Sequence, residues 1–133
     1  MKIGNFLNFK DGKYYISENR ENEHTIAIIF DAEKNLACSI EIETSTDWHS
    51  AMENNNPEKR LLSVDEFNQI LETKSLDESL YVVSSQSFWL RHKIGGRGLC
   101  TSWNNQDESI IECAPFREIE NVLYVYSLKE LGL

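Results

Sequence analysis

Residues 24–43, HTIAIIFDAEKNLACSIEIE, decide the fold class. Ile26 to Phe30 run apolar without a break, so both faces of the segment call for burial, as in a strand inside a sheet. Ala32 to Asn35 reads as a turn. From Leu36 to Glu43 the pattern changes to strict alternation. Leu36, Cys38, Ile40 and Ile42 share one side, and Ala37, Ser39, Glu41 and Glu43 the other. That predicts a strand with one dry and one wet face, as antiparallel sheets have.

Working outward, Ile3 to Phe9 and Lys13 to Ser17 flank Asp11-Gly12. That dipeptide supplies the positive φ of a tight hairpin turn, so a hairpin is expected. Ser17 to Glu23 is a polar loop. On the other side, Asp47 suits the N-cap of a short helix reaching Glu53. Asn54-Asn55-Asn56-Pro57 ends it, because proline disfavours helical geometry in the residue before it.

The clearest helix runs from Ser63 to Thr73. Ser63 and Glu66 have capping-box spacing, and Leu62 and Phe67 have hydrophobic-staple spacing. Val64, Phe67, Ile70 and Leu71 form an apolar stripe of helical period. Asp65 and Glu66 lie at the positive end of the dipole and Lys74 at the negative end. Further strands are expected near Leu80–Ser84, Ser87–Lys93, Leu99–Trp103, Ser109–Cys113 and Asn121–Ser127. Val122 to Tyr126 is apolar on both faces. Asn104–Glu108 reads as a turn, and Lys129–Leu133 as a last turn or frayed end. Strands, then helix, then strands give an α+β class. The expected architecture is one domain over residues 1–133, a mostly antiparallel curled sheet of about six to eight strands with one main helix (63–73) on one face.

The chain has 133 residues, 22 acids against 13 bases and a formal charge of -9. A chain of this length hides roughly two-thirds of its unfolded surface, enough for a core without staples. No apolar run has the length of a membrane span. Met1 to Lys10 lacks the apolar region of a signal peptide, so a cytoplasmic location is expected. Cys38, Cys100 and Cys113 are odd in number and lack CxxC spacing, so reduced, buried thiols are expected. The acidity is uneven. Residues 1–80 hold 16 acids and 8 bases, and no acid falls between Ser79 and Gln106, where Arg91, Lys93 and Arg97 lie. The chain reads as an acidic body with a small basic tip.

That balance disfavours nucleic acid and anionic membranes as partners and favours a cationic protein. An acidic surface also serves solubility. The expected partner-binding residues are Glu41, Glu43, Asp47, Trp48 and Glu53, with Trp48 as anchor or as core. Arg91, Lys93 and Arg97 form a secondary basic tip around Gly95-Gly96-Arg97-Gly98, whose glycines suit a tight turn. Trp89 and Trp103 on the flanking strands suit stacking there or cross-strand packing. The glycine run has neither P-loop nor GxGxxG spacing. His24, His49 and His92 supply no recognised metal set, and no metal, cofactor or catalytic residue is expected. A Cys–His pair, such as Cys100 with His49 or His92, is set by folding and has no support from spacing.

In size and charge alone the chain resembles a bacterial immunity protein. The resemblance implies a small inhibitor that neutralises a nuclease-like toxin domain by electrostatically steered docking. No motif transfers residues from that class. A small enzyme or ligand binder with a helix–sheet cavity, and a subunit of a larger assembly, are the alternatives; monomer and homodimer both stay open.

Overall fold

The computed structural model describes residues 2–73, 78, 86–103 and 109–133, with the side chains of Trp103 and Ser109 excepted. The elements are β1 (Phe6–Lys10), β2 (Lys13–Ser17), β3 (Thr25–Asp31), β4 (Leu36–Ser39), β5 (Thr44–Thr46), α1 (Trp48–Glu53), β6 (Lys59–Leu61), α2 (Val64–Thr73), β7 (Trp89–Ile94), β8 (Arg97–Trp103), β9 (Ser109–Pro115), β10 (Glu120–Val122) and β11 (Tyr124–Ser127). The expected strand at Leu80–Ser84, the turn at Asn104–Glu108 and Lys74 lie outside the described residues.

The main sheet has six strands, in the order β2-β1-β3-β4-β11-β6, with every neighbouring pair antiparallel. It is open, with β2 and β6 at its edges. Among the described residues there are two further small sheets, β10-β5 and β7-β8-β9. The α+β class with one main helix is what forms, and the strands beyond the main six divide between the two small sheets.

Asp11 (φ 52°) and Gly12 (φ 78°) make the turn between β1 and β2. Both central residues have positive φ, which matches the twist of the flanking strands. β3 is central, as its unbroken apolar run requires, and Ala27 to Phe30 are wholly buried.

β4 corrects one expectation. Its supposed wet face is dry at Ala37 (0% exposed) and Ser39 (3%), and only Glu41 and Glu43 project into solvent. β4 is an inner strand, and Ala37 packs with Leu7, Ile29, Tyr126 and Leu128 on the face away from α2. Ala27 and Ala37 leave space on that face for the larger Leu7, Ile29, Tyr126 and Leu128 to close over them.

The opposite face packs Phe6, Ile28, Phe30, Cys38 and Val125 against Phe67 and Ile70 of α2, joined by Phe88 and Leu90. α2 is capped as its sequence foretells. The Glu66 amide donates to Ser63 Oγ (3.1 Å) and the Ser63 amide to Glu66 Oε1 (2.8 Å). Arg60 of β6 adds two bonds to the same carboxylate, at 2.8 and 2.7 Å. This fork-on-carboxylate pairing fastens the helix start to the sheet edge.

A third cluster, Trp48, Ala51, Leu61, Trp89, Cys100, Ala114, Val122 and Tyr124, joins α1 and the three-stranded sheet to the β6 end of the main sheet. The apolar run Val122–Tyr126 is two strands, not one. Val122 ends β10, Tyr124 begins β11, and Leu123 between them is buried. Among the described residues, no helix is long and apolar enough to cross a membrane.

Candidate functional site

Glu41 and Glu43 lie where the chain leaves the main sheet. β4 ends at Ser39, whose hydroxyl donates to the Glu41 carbonyl (3.0 Å). The Ile40 amide still donates to the Ile26 carbonyl (3.1 Å), whereas the Glu43 amide has moved to the Val122 carbonyl (3.1 Å). Ile40 and Ile42 point inward throughout this crossing, so Glu41 and Glu43 are turned outward together.

Beside them is a groove of about 140 Å³ lined by Thr25, Ile26, Ser39, Ile40, Glu41, Glu43 and Tyr126. Glu43 Oε1 accepts from Lys59 Nζ at 2.9 Å and lies 3.5 Å from the Tyr126 hydroxyl. Lys59 Nζ stands 4.6 Å from the ring centroid of Tyr124 and 5.8 Å from that of Tyr126. Burial, then the charge of Glu43, pushes the Tyr126 phenol well up from its ordinary range. It is therefore a neutral donor near neutral pH. Glu41 is exposed and has no ion pair among the described residues.

Asp47 and Trp48 build the adjoining helix. The Asp47 carboxylate accepts the Ser50 amide (2.8 Å) and hydroxyl (3.2 Å), and these bonds hold its pKa below the usual carboxylate range. Trp48 is 6% exposed, and its indole donates to the Leu90 carbonyl (2.9 Å). It therefore supports any docking face from beneath rather than projecting from it. His49 is exposed and packs against Phe116 at a tilt of 53°, with centroids 4.6 Å apart. Glu53, in the last turn of α1, is exposed and has no ion pair among the described residues.

The basic tip forms at the β7–β8 hairpin. Ile94 pairs with Arg97 across Gly95-Gly96, and Arg91, Lys93 and Arg97 are all exposed. Gly98 is no part of that turn. A Cβ there would lie 2.8 Å from Trp48 Cγ and 2.9 Å from Trp89 Cζ3, so its backbone fits against two indoles. Trp89 is wholly buried, and its indole donates to the Thr46 carbonyl (2.8 Å). It lies opposite Cys100, in the core and away from the basic side chains. The side chain of Trp103 lies outside the described residues.

Cys38 and Cys100 are buried, as expected, while Cys113 is exposed. Burial first, then Glu120, Glu112 and Glu118, pushes the Cys100 thiol up to about 12, the reverse of nucleophile activation. Among the described residues, no three of His, Cys, Asp and Glu could hold a metal ion. The seam between α2 and the sheet is filled by Phe67, Ile70, Phe88 and Leu90, and the groove shares only Ile40 with that cluster.

Sequence reasoning missed Tyr126 as a groove residue, and Lys59 and Tyr124 as its neighbours. The i, i+2 spacing of the tyrosines was the one available signal, since strand alternation puts both on one side. Lys59 reaches them only because β6 pairs with β11, placing Lys59 opposite Tyr126. Comparison with protein-family models, with curated proteins and with solved structures finds no match in any of the three.

Proposed function

We propose that this chain is a protein-binding domain of the cytoplasm, an immunity-type inhibitor that docks on a cationic, nuclease-like toxin domain. One observation carries the reading. Residues 35–58 contain Glu41, Glu43, Asp47, Glu53 and Glu58 and no lysine or arginine. That acidic segment crosses between sheets beside an open groove. Lys59, at its end, is bound to Glu43, while Glu41 and Glu53 keep their charge exposed. A surface of one sign steers an oppositely charged partner and raises its association rate above that of a neutral encounter. The docked domain would block the partner's substrate cleft, which is basic where the substrate is nucleic acid.

Stopped-flow association with a cationic nuclease domain encoded beside this chain tests the reading. The association rate falls steeply from low to high salt, and charge reversal at Glu41 and Glu43 slows capture further. A rate indifferent to salt overturns it.

A further inference from the structure

We infer that the groove between Glu41, Glu43 and Tyr126 is a seat for one arginine side chain of a basic partner. The inference rests on the docking reading and gives it a specific contact.

Four observations converge on the groove. Its volume, about 140 Å³, far exceeds the roughly 30 Å³ share of a single water and admits a side-chain head group. Its wall is mixed. Ile26, Ile40 and the ring of Tyr126 supply apolar surface, and Thr25 and Ser39, whose hydroxyls are engaged with Asn8 and the Glu21 amide and with the Glu41 carbonyl, complete it. Its rim carries two carboxylates. Among the described residues Glu41 has no ion pair, and Glu43 engages Lys59 through Oε1 while its Oε2 accepts no hydrogen bond. The fourth observation is the chain's own cation. Lys59 Nζ is held by Glu43 and by the faces of Tyr124 and Tyr126. Carboxylate and aromatic faces therefore already bind a positive charge next to the groove, the combination that favours cations over neutral groups.

Arginine fits better than lysine. Its planar fork can take an oxygen from each of two carboxylates, and it is more weakly hydrated, so a half-enclosed groove strips less water from it. Lys59 competes for the same carboxylate, so its removal must strengthen the seat.

The test is an NMR titration of the folded full chain, labelled with 15N, using N-acetyl-arginine amide as probe. The neutral N-acetyl-citrulline amide, of nearly the same shape, is the control. Saturable shifts are expected at Thr25, Ile26, Ser39–Glu43 and Tyr126, with citrulline at least about tenfold weaker, as loss of a charge-assisted bond implies. Glu41→Gln weakens arginine binding by a similar factor and leaves the rest of the spectrum unchanged. Lys59→Met tightens it several-fold, whereas Lys10→Met, which removes an exposed charge from another strand, does not. Equal shifts from the two probes, shifts at other residues, or equal effects of the two lysine substitutions overturn the inference. The two proposals fail separately. Salt-sensitive capture of a nuclease without arginine shifts removes the seat and keeps docking through other carboxylates. Arginine binding with salt-indifferent capture keeps the seat and removes the docking reading.

Discussion

At the scale of single residues, the side chains that matter most here act through contacts distant in sequence. Gly98 is exacting because Trp48 and Trp89 lie against its α-carbon. Gly98→Ala is expected to cost about 1–3 kcal/mol through overpacking, read as a lowered urea midpoint with unchanged slope. Trp48→Ala removes a buried indole and its bond to Leu90, for an expected loss of about 3–5 kcal/mol in the same measurement. The three thiols also divide by position. Cys113 is exposed, Cys38 and Cys100 are buried, and burial raises the pKa of both buried thiols. A thiol reagent should therefore modify one cysteine in the native protein and all three in denaturant. Rapid native modification of Cys38 or Cys100 would contradict the packing. None of these distinctions is visible along the chain, because Cys38, Cys100 and Cys113 all sit in similar alternating segments.

At the scale of elements, α2 shows how far local reading reaches. Ser63, Glu66 and the apolar stripe lie within a few residues of one another, so the capping box and the buried face were legible. Arg60 was not, since it meets Glu66 only after β6 joins the sheet edge. That contact shapes acid stability. Burial works against the Glu66 charge, but the Arg60 guanidinium and the Ser63 groups outweigh it and hold the pKa below its ordinary 4.5. A lowered carboxylate pKa contributes stability above the unfolded value, and that contribution is lost as pH falls through the folded value. Glu66→Gln should therefore cost roughly 2 kcal/mol near neutral pH, and the gap to the parent protein should shrink on acidification below about pH 4.5. A gap constant with pH would assign the loss to packing alone. The shortest strands escaped sequence reading. Thr44–Thr46 and Lys59–Leu61 are three residues each, too short to show a period. They are strands because β10 and β11 offer them partners.

At the scale of the whole molecule, charge and topology act together. The chain's -9 was plain from composition, and so was its concentration before residue 80. Both set long-range attraction and its expected decline with salt. Alternation, capping and turn chemistry, each a local matter, determined the α+β class, the β1–β2 hairpin, the central place of β3 and the start and buried face of α2. Tertiary structure alone decided the division into three sheets, the break at Leu123, the burial of Trp48 and the groove where Glu41 meets Tyr126. Glu41 and Tyr126 are far apart in the chain, and no periodicity extends so far. They become neighbours because β4 pairs with β11, and that pairing is chosen by the joint burial of Cys38, Ala37, Val125 and Tyr126. Local rules hold within a few residues, whereas a site built across strands exists only once apolar burial has selected which strands lie side by side.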